Sequence, residues 1–135
     1  MHILLVEPDK LLARSECQAL EQAGHSVMVA ATAQVAIQAA DERRPDIVLL
    51  ELQLVSHSGI EFLYEFRSYS DWQSIPVVAL TQVPPAEFSG SAELLKHELG
   101  VVAYHYKPRT SLTKICRIVN EHPLLSDIPN IVSVS

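Results

Sequence analysis

Five polar side chains follow short apolar runs of the chain, each at or just beyond the point where a run ends: Glu7, Asp9, Glu51, Thr81 and Lys107. Carboxylates can bind a divalent cation, and one of them can attack phosphorus. A lysine ammonium and a hydroxyl can stabilise phosphoryl oxygens. The residue types therefore predict a pocket for phosphoryl chemistry, provided that the fold brings the ends of these runs to one place.

The apolar runs themselves predict strands. Each has four residues, and several are rich in valine and isoleucine, which is typical of strands buried on both faces of a parallel sheet. The predicted strands are residues 3–6, 27–30, 47–50, 77–80 and 101–104.

Helix patterns separate these strands. The first predicted helix has Leu12, Cys17 and Leu20 along one side and ends at Gly24. Ser58 and Glu61 form a predicted capping box for the third, whereas residues 82–91 are rich in proline and serine and predict an extended loop. The predicted helices are residues 9–23, 32–43, a segment beginning at Ser58, 91–99 and a segment opening at Thr110 or Ser111.

Strand and helix alternate five times, which predicts an α/β fold in three layers, with helices on both faces of a parallel sheet. In such a sheet the carboxyl ends of the strands share one edge, and binding sites form there. The polar residues above all lie at these ends. We therefore expect any chemistry of the chain at this edge.

Composition narrows the function classes. The 135 residues suit one domain. The net charge of −6 disfavours contact with nucleic acid or an acidic membrane, because the surface repels phosphate groups. We find no signal peptide or membrane-spanning run and expect a cytoplasmic protein. Two widely spaced cysteines argue against a metal site or a disulfide framework.

Several segments resemble the receiver domain of bacterial response regulators in order and spacing. The resemblance covers about residues 1–121 and leaves 122–135 as a C-terminal tail. It implies a flavodoxin-like (βα)5 fold with a five-stranded parallel sheet in the order 2-1-3-4-5. The segments that carry it are ILLVE at 3–7, PDIVLL at 45–50, Gly59 eight residues after Glu51, IPVVALT at 75–81, Tyr104, and Lys107 followed by Pro108.

The resemblance also implies roles for the site residues. Glu51 stands where the family has its phosphate-accepting aspartate, and Thr81, Tyr104 and Lys107 match the switch and phosphate-contacting positions. Glu7 and Asp9 supply the acidic pocket, although Asp9 also suits the N-cap of the first helix. The site residues implied are Glu7, Asp9, Glu51, Thr81, Tyr104 and Lys107.

Two departures from the family change the expected chemistry. Pro8 stands where the family has a second adjacent acid, and proline offers neither a side-chain oxygen nor an N–H. We therefore expect weak or absent Mg²⁺ binding and no cofactor. Glu51 is longer than aspartate by one methylene, about 1.5 Å, and in-line attack tolerates such a displacement poorly. The sequence predicts an atypical receiver that is not phosphorylated at position 51.

The function that follows is protein–protein interaction by a stand-alone pseudo-receiver of two-component or phosphorelay signalling, without enzyme activity. The resemblance implies a histidine kinase, another regulator or a second copy as partner. The expected contact face joins the fourth helix, fifth strand and fifth helix and includes Leu94, Leu95, Tyr104 and residues of 110–121. One alternative is a phosphorylatable regulator that uses Asp9 or another acid, and another is a small-molecule-binding flavodoxin-like domain. Whether Glu51 imitates the active state or only abolishes switching stays open.

Overall fold

Strands and helices alternate along residues 1–121, the part of the chain that the computed structural model describes, the side chains of residues 88 and 89 excepted. Short 3-10 turns at Ser70–Trp72, Pro85–Ser91 and Lys107–Arg109 and a π-helical segment at Leu94–Glu98 join the main elements. The main elements are β1 (His2–Val6), α1 (Lys10–Gln22), β2 (Ser26–Ala30), α2 (Ala33–Glu42), β3 (Ile47–Leu50), α3 (Gly59–Ser68), β4 (Val77–Thr81), β5 (Val101–Tyr106) and α4 (Leu112–Glu121).

The strands form one parallel sheet in the order β2-β1-β3-β4-β5. The strand order predicted from the sequence is confirmed. In the register, Leu5 of β1 lies opposite Val29 of β2 on one side and Leu49 of β3 on the other. Because β1, β3, β4 and β5 are consecutive neighbours, the residues that follow them meet at one edge of the sheet.

Two apolar clusters cover the two faces of the sheet and make the predicted three layers. The helices α1 and α4 pack on one face, where Leu20, Ile115 and Val119 contact strand residues. The helices α2 and α3 pack on the other, where Phe62 and Phe66 stack with ring centroids 5.3 Å apart. Strand side chains such as Leu4 and Leu5 are fully buried, and a sheet covered on both faces holds its strand ends rigidly.

Side chains begin the helices where the sequence predicts them. Thr32 accepts a hydrogen bond from the N–H of Val35 at the start of α2. Ser58 and Glu61 form the predicted capping box at the start of α3, with distances of 3.1 and 3.2 Å. Ser111 accepts from the N–H of Lys114 at the start of α4. These caps satisfy backbone donors that a helix leaves unpaired.

The segment between β4 and β5 differs from the prediction. The expected extended loop contains a 3-10 turn at Pro85–Ser91, and the expected α-helix over 91–99 is mainly π-helical at Leu94–Glu98. The N–H of Leu99 donates to the carbonyl of Leu94, five residues earlier, at 3.0 Å. The Arg67 guanidinium donates to the carbonyl of Leu99 at 2.8 Å. These two hydrogen bonds stabilise a last turn that is wider than that of an α-helix. The helix propensities of the local residues do not predict such a turn.

Three sequence predictions concern features beyond the sheet. The predicted tail at 122–135 lies outside the described residues. Within residues 1–121, no helix is long and apolar enough to cross a membrane. Cys17 and Cys116 are free, partly buried thiols.

Candidate functional site

The carboxyl edge of the sheet brings four predicted site residues together. Glu7 follows β1, Glu51 follows β3, Thr81 ends β4 and Lys107 follows β5. Their exposed fractions are 4%, 3%, 0% and 9%. Polar side chains this deeply buried require partners, and these four find them in one another.

Lys107 links the two carboxylates. Its Nζ donates to Glu51 Oε1 at 2.7 Å and also to Glu7 Oε1. Burial alone would lower the pKa of Lys107, but hydrogen bonds and ion pairs with Glu51 and Glu7 outweigh burial and raise the pKa. The lysine is therefore a buried cation shared by residues that lie 100 and 56 positions away in the chain.

The Glu51 carboxylate is fully engaged. Its Oε1 accepts from Lys107 and from the N–H of Gln82 at 3.0 Å, and its Oε2 accepts from Thr81 Oγ1 and from the N–H of Gln53 at 3.0 Å. Burial would raise the pKa of Glu51, yet the hydrogen bonds from Lys107 and Thr81 hold it below its usual value. A carboxylate has about four lone-pair sites, so both oxygens are saturated.

The structure corrects the placement of Asp9 in the acidic pocket. Its carboxylate accepts hydrogen bonds from the N–H groups of Leu11 and Leu12 at 2.9 and 3.0 Å and caps α1. Only its backbone reaches the site, since the N–H of Asp9 donates to Glu7 Oε2 at 3.1 Å. The capping role considered for Asp9 is confirmed.

Thr81 also connects the site to Tyr104. The Thr81 hydroxyl oxygen accepts from the N–H of Val83 at 3.1 Å. The Tyr104 hydroxyl donates to the carbonyl of Val83 at 2.6 Å, and the tyrosine is fully buried. Burial, together with the nearby charge of Glu51, raises the pKa of Tyr104. Glu51, Thr81, Val83 and Tyr104 thus form a continuous chain of contacts from the carboxylates into the core.

Three of the residues expected on the contact face are buried or half-buried. Leu95 and Tyr104 are fully buried, and Leu94 is half-buried. They fill the core between the sheet and the π-helical segment. Leu112, which opens the last helix of the expected face, is 42% exposed, and Leu11 and Val55, in segments that follow β1 and β3, are 76% and 65% exposed.

Glu16 is a buried acid in α1 that was not among the predicted site residues. Its pKa is raised by burial and by the neighbouring charge of Glu7. The predicted inner stripe of Leu12, Cys17 and Leu20 placed Glu16 off the buried face. The residues of α1 that are buried are Ala13, Glu16 and Leu20. The spacing of three and four residues between them was the available signal.

Gly59 fits beneath the loop that carries Glu51. A Cβ there would lie 2.7 Å from Leu52 Cα and 2.9 Å from Leu52 Cδ2. We expect Gly59→Ala to lower the free energy of unfolding by about 1–3 kcal/mol, because backbone must shift to relieve overpacking. Urea denaturation measures the change.

Gly90 supplies the matched control, since a Cβ there meets nothing within 4 Å. We expect Gly90→Ala to change the free energy of unfolding by less than about 0.5 kcal/mol. Equal effects of the two substitutions would contradict the close approach at Gly59.

Comparison with known proteins gives a family. Residues 3–113 match the model of the response regulator receiver domain. The KDP operon transcriptional regulatory protein KdpE of Escherichia coli is 32% identical over 107 residues, which are 79% of this chain and 44% of KdpE. The chain thus spans less than half the length of this relative.

Two further comparisons cover most of each protein. The polar-differentiation response regulator DivK of Brucella anthropi is 27% identical over 106 residues, 78% of this chain and 83% of DivK. The chemotaxis response regulator CheY4 of Vibrio cholerae superposes with a TM-score of 0.78 at 20% identity, over 89% of this chain and 96% of CheY4. That likeness shows the CheY-like, flavodoxin-like fold. Receiver domains are generally signalling modules without enzyme activity, and this chain belongs to the response regulator receiver domain family of two-component signalling.

Proposed function

We propose that this chain is an atypical receiver domain that acts by contact with a partner protein and is not switched by phosphorylation at position 51. One observation carries the proposal: Lys107 donates to Glu7 and Glu51 together, inside a buried pocket. The pocket is closed by the chain's own cation.

Phosphate acceptance at Glu51 requires a carboxylate oxygen free to attack phosphorus in line. Both oxygens of Glu51 already accept two hydrogen bonds each. Releasing one oxygen would leave Lys107, Thr81 or a backbone N–H without its acceptor in a buried place, which costs free energy. These contacts support Glu51 as a fixed structural anion.

A divalent cation of the kind that assists phosphoryl transfer fits these residues poorly. Mg²⁺ binding needs carboxylate oxygens that point at the ion. The carboxylates of Glu7 and Glu51 already accept hydrogen bonds from Lys107. The carboxylate of Asp9 caps α1, and Pro8 has no side-chain oxygen. The proposed domain therefore does not hold Mg²⁺ tightly.

The contacts beyond Glu51 favour one fixed arrangement over two interchangeable ones. Thr81 binds Glu51, Val83 binds Thr81, and the buried Tyr104 binds Val83. A switch needs two arrangements of similar free energy. Because the carboxylate that anchors this chain of contacts is part of the polypeptide, no ligand has to arrive to form it. The proposed domain presents a constant surface.

The proposed partner surface is the rim of the closed pocket. Leu11, Val55 and Leu112 are exposed there, and each follows a different strand of the sheet at the same edge. Large apolar side chains around a buried polar centre suit a protein contact. A histidine kinase, another regulator or a second copy of the chain would fit this description.

Labelling with a small phosphoryl donor tests the proposal. The purified protein is incubated with acetyl phosphate and Mg²⁺ beside a receiver domain that accepts phosphate, and the intact masses are compared. We expect the control to gain about 80 Da, the mass of one phosphoryl group, and this chain to gain none. A label mapped to Glu51 would overturn the proposal.

The same experiment also tests the alternative that an acid other than Glu51 accepts the phosphoryl group. A label on a different residue that disappears in Asp9→Ala would show a phosphorylatable regulator that uses Asp9. The carboxylate of Asp9 is solvent-exposed at the helix cap, which makes it the accessible acid beside the pocket. A label that persists in Asp9→Ala and in Glu51→Gln would point to a third acid.

A further inference from the structure

Glu16 is an acid in a place where an ionised acid is costly. It lies on the buried face of α1 with Ala13 and Leu20 and is 2% exposed. In the described part of the chain no lysine, arginine or histidine forms an ion pair with it, and its Oε1 has no hydrogen-bond partner. A buried carboxylate without a cation is strongly disfavoured, whereas a neutral carboxyl group tolerates the same surroundings.

The contact with Glu7 locates the proton. Two carboxyl groups share a hydrogen bond only when one of them carries a proton. Glu7 accepts from the Lys107 ammonium and from the N–H of Asp9, so each of its two oxygens already has a donor. The proton therefore resides on Glu16, the member without a cation of its own.

The charges that act on Glu16 come from three strand ends. Burial is the main cause that raises the pKa of Glu16 to about 7, and the negative charges of Glu7 and Glu51 add to it, while Lys107 opposes them. Along the helix the adjacent Cys17 has a thiol pKa raised by burial and stays neutral.

We propose that Glu16 is a positioning residue that donates a hydrogen bond from a neutral carboxyl group to Glu7 and thereby holds Glu7 on Lys107. This inference deepens the proposed function, because it names the group that keeps the closed pocket in place. With Glu16 neutral, two carboxylates face one ammonium. Ionisation of Glu16 adds a third negative charge against the same ammonium and replaces a hydrogen bond with repulsion between Glu16 and Glu7.

The raised pKa of Glu16 makes the folded state less stable as the pH rises. The folded chain keeps the Glu16 proton up to about pH 7, while the unfolded chain releases it near 4.5. Between these values the folded state binds more protons, so the stability from Glu16 is complete below pH 4.5 and is lost as the pH rises to about 7.

Matched variants separate positioning from simple packing. Glu16→Gln keeps a neutral donor of similar shape, Glu16→Leu keeps an apolar side chain without a donor, and Glu65→Gln changes an exposed glutamate as the control. Denaturant unfolding is followed across pH 4–8. Carbon-13 NMR follows the Glu16 carboxyl, and nitrogen-15 NMR follows the exchange of the Lys107 ammonium protons with water.

We expect the Glu16 carboxyl to titrate near pH 7, and Glu16→Gln to remove the decline of stability between pH 4.5 and 7 while leaving Lys107 exchange unchanged. Glu16→Leu should accelerate that exchange about tenfold, the effect of one lost hydrogen bond. Glu65→Gln should leave both readouts unchanged. If Glu16→Leu fails to fold, the carboxyl titration and the Glu16→Gln variant still test the proposed role of Glu16.

A carboxyl midpoint near 4.5 would overturn the inference, as would equal Lys107 exchange in Glu16→Leu and the wild type. No phosphoryl donor is used, so this test can fail while the proposed lack of phosphorylation stands. The reverse outcome, phosphorylation of Glu51 with Glu16 titrating near 7, would refute the proposed function and leave the role of Glu16 intact.

Discussion

Replacing Lys107 with methionine is expected to lower the free energy of unfolding by about 3–5 kcal/mol. Methionine keeps most of the side-chain volume but removes the ammonium that both Glu7 and Glu51 contact. Two buried carboxylates would then face each other without a cation, at exposed fractions of 4% and 3%. Denaturant unfolding at pH 7.5 measures the loss.

The control for this substitution is Lys10→Met at the start of α1, where the lysine is exposed. Exposed positions of this kind change stability by less than about 0.5 kcal/mol. Lowering the pH protonates carboxylates and should recover part of the loss in Lys107→Met, because the uncompensated charges disappear. A loss below about 1 kcal/mol, or one that does not depend on pH, would contradict the buried ion-pair network.

Restoring the two acids that the family carries is expected to create phosphate acceptance. Glu51→Asp withdraws the carboxylate by about 1.5 Å and frees it from the contacts with Lys107 and Thr81. Pro8→Asp supplies a second carboxylate for Mg²⁺. We expect the double variant, treated with acetyl phosphate and Mg²⁺, to gain about 80 Da on a major fraction of the protein.

The single variants show which position limits the reaction. Pro8→Asp alone keeps the engaged Glu51 and should remain unlabelled, whereas Glu51→Asp alone should label slowly because the metal ligands are incomplete. Circular dichroism checks that each variant folds. A folded double variant without a label would show that positions 8 and 51 do not account for the difference from the family.

The fold was predictable from local signals. Continuous apolar runs such as Ile47–Leu50 identify strands buried on both faces, and their alternation with helices dictates a parallel sheet. Cap signals such as Ser58 with Glu61 placed helix starts correctly. The strand order came from the resemblance of ordered segments, and not from periodicity alone.

The partners within the site were less predictable. Sequence spacing places Glu7, Glu51, Thr81 and Lys107 at one edge, but it does not say which oxygen the lysine chooses or that it reaches two carboxylates at once. That choice depends on side-chain rotamers and on distances between strand ends. Asp9 could have capped α1 or joined the acidic pocket. Its carboxylate caps the helix because it accepts hydrogen bonds from backbone N–H groups of the first turn of α1.

Tertiary contacts explain the remaining differences. The width of the π-helical segment depends on Arg67, which donates to backbone carbonyls of Leu99 and Gly100. Tyr104 and Leu95 were expected on a contact face, and core packing against α3 and the sheet buries them. Glu16 was overlooked because an acid on the inner face of a helix contradicts the usual pattern. Such a violation is the kind of position where a function is to be sought.

A titration with beryllofluoride and Mg²⁺, followed by NMR of the backbone amides and of the Lys107 ammonium, tests the closed pocket most directly. Beryllofluoride binds as a phosphoryl group would, so an open receiver pocket must respond. We expect no saturable shifts at Glu51, Thr81 or Lys107 with millimolar reagent, because Lys107 already occupies both carboxylates. Saturable shifts at these three residues together would contradict the account.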